Sequence, residues 1–135
     1  MGFRPKVLAL VLLGGCAGVQ SAPDNAAVCQ AYQAQRSGVE VVAGGRVTRV
    51  LGLQSGRVSP HEGFLMNLGS ACSTIVRVEV NTDLAGEFPV AVGDSVVVKG
   101  EYEYYSLGGV IHWTHHDPRF RHEGGFIQIG GKTYQ

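Results

Sequence analysis

The chain has 135 residues, with 11 Lys and Arg, 11 Asp and Glu, 5 His, 20 Gly and 3 Cys. That length suits one compact unit burying roughly two thirds of its unfolded surface. A formal charge of zero supplies no cation excess to neutralise duplex DNA, and 44% hydrophobic against 16% charged residues excludes the composition of a disordered chain.

Residues 1–15 read as a signal peptide: Arg4 and Lys6 form a positive n-region, the seven residues from Val7 to Leu13 an apolar h-region, and Gly14 and Gly15 a small-residue cleavage site. Seven apolar residues fall far short of the about 20 that span a bilayer. Leu13-Gly14-Gly15-Cys16 resembles the bacterial lipobox, which implies cleavage before Cys16 and lipid attachment to it. The alternative is an ordinary signal cut near Ala22, with Cys16 incidental. Ala17 after the cysteine, in place of Asp, implies sorting to the outer membrane. The expected location is therefore the cell envelope, with the lipid anchor joining the protein to the periplasm-facing outer membrane. Cleavage removes 15 of 135 residues and leaves 120; without Arg4 and Lys6 the mature chain has 9 basic against 11 acidic side chains, a net charge of −2.

Export places Cys29 and Cys72 in an oxidising compartment, where a disulfide is the economical reading. Closing a loop of about 43 residues stabilises by on the order of 4 kcal/mol in the chain-entropy model. Two separate buried thiols compete with it. Neither cysteine has a His or basic neighbour in sequence that would mark a nucleophile.

Residues 16–25 have the Gly, Ser, Ala, Pro and Asp content of a tether, and a single domain over residues 26–135 follows. Ala26 to Ser37 predicts one short helix, capped by Asp24 or Asn25 and ended by Gly38. From Val39 the pattern changes to strands. Val39 to Leu53 alternates apart from Gly44-Gly45, where a bulge or sharp bend is expected. Strands follow over Glu62 to Leu68 and Ser73 to Val80, the latter with Thr74, Val76, Val78 and Val80 on one face. Another runs from Ser95 to Tyr105, where Val96, Val98, Tyr102 and Tyr104 alternate with Lys99, Glu101 and Glu103. The stretch Val92 to Gly100 is similar to the fourth-strand entry of OB-fold barrels, with Gly100 at the bend. Val110 to Thr114 is a further short strand, and Phe126 to Ile129 with Lys132 to Tyr134 forms a hairpin about Gly130-Gly131. The expectation is a mainly β fold, a small OB-like β-barrel with one short N-terminal helix and a C-terminal hairpin. An open β-sandwich of the same strands is the runner-up.

Four of the five histidines lie between positions 112 and 122. On a regular strand Ile111 and Trp113 share one face and His112 and Thr114 the other, while Asp117-Pro118 breaks the pleat and turns the chain back. His112, His115, His116, Asp117 and His122 are thus candidate binding residues, and a mixture of imidazole and carboxylate suits a divalent transition metal. Trp113, Arg119 and Arg121 are candidate contacts to an anion or other ligand. The structural reading of the same residues makes the histidines hydrogen-bond clamps. In it Asp117 caps backbone amides, Arg119 and Arg121 pair with Glu101 and Glu103, and Trp113 fills the barrel. His61, at the second strand's start, is placed to join these residues, but on its own it reads as a surface side chain.

The run GGVIHWTHHDP, followed by RHEGGF and closed by GKTYQ, resembles an uncharacterised bacterial family, domain of unknown function 3465. The likeness covers Gly45 to Gln135 and is most specific from Gly108 to Gly125. It implies a short exported protein whose signature is His112, Trp113, His115, His116, Asp117, Pro118, His122, Gly124 and Gly125, and it supplies no activity. Members often carry Gly at Phe120, Trp at Phe126 and a His-Asn pair at Val80-Asn81. Two functional expectations remain. The first is a non-enzymatic lipoprotein module that binds a small ligand, an oligomer or a protein on its OB-like face, with no duplex DNA. The second is a metal-dependent phosphodiesterase or nuclease built on the His and Asp cluster.

Overall fold

The computed structural model describes residues 22–55 and 59–135. The expected signal over 1–15, Cys16 and the first part of the tether lie outside the described residues. The chain is mainly β: a seven-stranded mixed sheet with one short helix, α1 (Asn25–Gln33), packed against it. Its strands are β1 (Val39–Ser55), β2 (Pro60–Asn67), β3 (Ile75–Asn81), β4 (Ser95–Glu103), β5 (Val110–His112), β6 (Phe126–Ile129) and β7 (Lys132–Tyr134). A single helical turn, α2 (Thr82–Ala85), follows β3. Among the described residues no helix is long and apolar enough to cross a membrane.

Helix α1 begins where Asp24 accepts a hydrogen bond from the Ala27 amide, and it ends at Gln33, earlier than the helix-forming composition to Ser37 suggests. The chain already turns left-handed at Gln35, with φ +52°, before Gly38. Val28 and Ala31 are buried in the core, and Cys29 is bonded to Cys72 in the connection from β2 to β3. Asn25 ties the helix start to the sheet: its amide nitrogen donates to the Gly44 and Leu68 carbonyls, and its oxygen accepts from the Gly44 amide.

β1 serves two neighbours. Its first half, Val39 to Arg46, pairs antiparallel with β4, and its second half, from Arg46, with β2. Gly45 sits at the changeover, where a Cβ would meet the Asn67 carbonyl oxygen at 2.3 Å. The expected break at Gly44-Gly45 is therefore a corner of close backbone approach, and the register shifts fall later, at Val47/Arg49 and Val50/Gly52. β2 pairs antiparallel with β3, β3 parallel with β5, and β5 antiparallel with β4, so the pairings β1-β2-β3-β5-β4-β1 return to their start. The β6-β7 hairpin extends the sheet from β4.

Alternation sends one face of each strand into a common core. Val76, Val78 and Val80 of β3, Val96, Val98 and Tyr102 of β4, Ile111 and Ile127 are buried there with Phe64 and Met66. Fully burying a side chain of this size stabilises by about 1.5–3 kcal/mol. The same alternation leaves Lys99, Glu101 and Glu103 of β4, Arg77 and Glu79 of β3, and His112 of β5 on the outer face.

Candidate functional site

The His loop lies close over β4, and two glycines make room for it. A Cβ on Gly100 would come 2.3 Å from the His112 carbonyl oxygen, and one on Gly125 would come 2.3 Å from that of Trp113. Trp113 itself is left-handed, with φ +52°. This ends the pleat and reverses the expected facing: Thr114 turns inward, fully buried, and donates to the Glu79 carbonyl at 2.8 Å. Trp113 turns outward and is 39% exposed, so it does not fill the core. Its indole stacks with His112 at 5.0 Å and with His122 at 4.7 Å. His112 and Trp113, expected on opposite faces, therefore share one.

Asp117 holds the turn. Its carboxylate accepts from the backbone amides of Arg119, Arg121 and His122. Desolvation opposes the charge, but the three amides outweigh it and bring the carboxyl down to about 2. His115 is buried, its Nδ1 2.6 Å from the His116 carbonyl oxygen, and burial lowers its pKa. The His115 and His122 rings meet edge to face at 5.1 Å. His116, Arg119 and Arg121 are exposed. The arginines are not the partners of Glu101 and Glu103: those carboxylates lie against His112.

Glu101 is paired in register with His112. The His112 Nε2 lies 3.8 Å from the Glu101 carboxylate and 3.7 Å from that of Glu103, shielded from solvent and, among the described residues, without a hydrogen-bond partner. Burial raises the Glu101 pKa, and its hydrogen bond with Glu103 raises it further. Burial pushes Glu103 the same way, yet hydrogen bonds from Glu101 and Ser37 and the charge of His112 bring it below its ordinary value. Burial lowers His112 despite the opposing pull of Glu103 and Glu79. Glu40, opposite Glu101 on β1, is raised by burial and then by the Glu123 charge.

Among the described residues, one set of three His, Cys, Asp or Glu side chains brings its ligand atoms within 4.8 Å of one another, namely Glu101, Glu103 and His112. Of the five candidates from the sequence, His112 belongs to that set, while His115, His116, Asp117 and His122 form the loop beside it. The glutamates carry a sequence signal, the i, i+2 spacing on one face of β4, but their meeting with His112 follows from β4–β5 pairing.

Next to His112 the outer face of β2, β3 and β5 forms a groove of about 780 Å³. Leu65, Ile75 and Val110 contribute apolar surface, and Arg77 and Glu79 form an ion pair within it. Tyr105 and Leu107, from the β4–β5 connection, line one side and are 63% and 93% exposed. His61 lies in the groove rather than apart from it.

The family model described as "Protein of unknown function (DUF3465)" matches residues 10–135, a wider span than the C-terminal signature alone. No curated protein and no solved structure matches the chain.

Proposed function

The chain belongs to the DUF3465 family, whose description names no activity, and we propose from the groove beside His112 that it is a non-enzymatic ligand-binding module. Residues 26–135 are read as one OB-like barrel. The return of the pairings to β1 through β4 supports a closed barrel over an open sandwich. In OB folds the face of strands 2 and 3, with the 1–2 and 4–5 loops, receives oligomeric ligands. The groove occupies the corresponding surface here: Leu65 of β2, Ile75 and Arg77 of β3, and Tyr105 and Leu107 between β4 and β5. That correspondence carries the proposal.

The ligand class follows from charge and surface. A mature chain with a net charge of −2 offers little attraction to a polyanion. Exposed Tyr105 and Leu107 offer apolar and stacking surface, and Arg77, Glu79 and His61 offer hydrogen bonds. This mixture suits an uncharged oligomer, an oligosaccharide or a peptide segment. The module is held in the cell envelope by lipid on Cys16 after loss of residues 1–15, with residues 16–25 as tether; the Cys29–Cys72 disulfide supports an oxidising compartment.

Amide chemical-shift titration with neutral oligosaccharides, short peptides and single-stranded oligonucleotides tests the reading. Saturable shifts confined to groove residues, abolished by Ile75→Glu, are expected for a member of the first two classes. No saturable shift with any of the three would refute it.

A further inference from the structure

At the edge of the groove the two glutamates of β4 face an imidazole on the neighbouring strand, with the His112 Nε2 between their carboxylates at 3.8 and 3.7 Å. These separations are too long for hydrogen bonds, and among the described residues no other group satisfies the shielded nitrogen. Negative charge is concentrated on the same surface: Glu40 is opposite Glu101 in the β1–β4 register, and its Oε2 is also buried without a partner among the described residues. Lys99, the basic residue on this face of β4, is committed to Glu123 at 2.6 Å. The face thus holds converging oxygen and nitrogen donors with no cation assigned to them.

We propose that Glu101, Glu103 and His112 bind one divalent first-row transition-metal ion, with Glu40 flanking the site. Bonds of about 2.0–2.2 Å from an ion to imidazole nitrogen and carboxylate oxygen bridge donor separations of this size. One imidazole with two carboxylates suits zinc and its neighbours better than calcium or magnesium, which take oxygen ligands. The three donors sit on paired strands rather than on a loop, so the backbone presets their spacing. The Trp113 indole stacked on the imidazole at 5.0 Å, itself stacked with His122, holds the ring plane from outside the ligand set. The site holds whether or not the groove takes a ligand, and an ion there would stand at the groove's end beside His112.

Calorimetric titration of the chain, made without a polyhistidine tag, with Zn²⁺ should show one saturable equivalent. Emission from Trp113, the single tryptophan, should change over the same isotherm, and Zn²⁺ should raise the melting temperature. Glu103→Gln, nearly isosteric, and Glu101→Gln should each weaken Zn²⁺ at least tenfold and remove that rise, while their metal-free melting stays cooperative. His116→Ala, on the exposed part of the loop, should leave the affinity unchanged. Absence of saturable binding, parental affinity in Glu103→Gln, or loss of binding in His116→Ala would overturn the proposal.

Discussion

Gly100 on β4 lies directly beside the backbone of His112, so close that a methyl group on its α-carbon would stand 2.3 Å from the His112 carbonyl oxygen and 3.0 Å from the Ile111 and Thr114 side chains. Missing side-chain volume on one strand is thus what allows the next strand and its loop to settle against it. That approach accompanies the pairing that brings His112 level with Glu101.

Gly100→Ala should therefore destabilise by about 1–3 kcal/mol or more, the range for forcing atoms into a packed site, and should disturb the surroundings of Trp113. Thermal melting followed by tryptophan emission measures both. An unchanged melting temperature would show that the two strands part without cost.

Asp117 is expected to keep the loop's turn in place under mild acid. Its folded-state pKa is depressed from 3.8 to about 2, so its contribution is fully present above 3.8 and is lost as pH falls through about 2. Trp113 emission should stay native until pH drops below the ordinary Asp range. Asp117→Ala removes the acceptor of three backbone amides and should give the altered emission at neutral pH. A parental emission spectrum in Asp117→Ala would refute the clamp.

Tyr102 is expected to contribute to an alkaline loss of stability. It is fully buried, donates to the Gly108 carbonyl at 3.1 Å, and has its pKa raised from 10.0 to about 12, first by burial. A raised pKa means stability fully present below pH 10 and lost as pH rises through about 12. Tyr102→Phe should cost about 1 kcal/mol at neutral pH and flatten the alkaline decline in denaturant midpoint. An equally steep decline in the variant would assign it to another group.

The Cys29–Cys72 bond joins α1 to the connection before β3 across a sequence separation of 43 residues. Replacing both with Ser should cost about 2–5 kcal/mol, read from denaturant unfolding. Intact-mass measurement of the parent should fall two protons below the reduced chain, and a mass equal to the reduced chain would rule the bond out in the isolated protein.

Cys16→Ser should move the protein from the membrane fraction to the soluble envelope fraction, read by fractionation and immunoblotting. Continued membrane association of the variant would exclude lipid on Cys16 as the anchor.

The strands were legible because their signal is local. Period-two alternation in Val76, Val78 and Val80 and in Val96, Val98 and Tyr102 requires only that one face of the strand be buried, and those residues are buried, while Thr74 and Tyr104, which continue the two rows past the strand ends, are half-buried. Gly130-Gly131 joins β6 to β7, two left-handed glycines between paired strands. The facing of Trp113 was not legible, since alternation assumes a continued pleat and one left-handed residue ends it. Nor was the approach of Glu101 and Glu103 to His112, which the sequence leaves open to Arg119 and Arg121 as competing partners.

By itself, then, the sequence determined the residue classes: which strands exist, which faces are apolar, where histidine accumulates and which cysteines are available to pair. Only the tertiary structure decided the neighbours across strands. A strand's inward and outward pattern is set by its own residues, whereas its register is set by backbone hydrogen bonds and by where glycines permit close approach. Gly100 and Gly125 admit the His loop at that contact, β4–β5 pairing sets His112 against Glu101, and the left-handed turn at Trp113 places the indole over it.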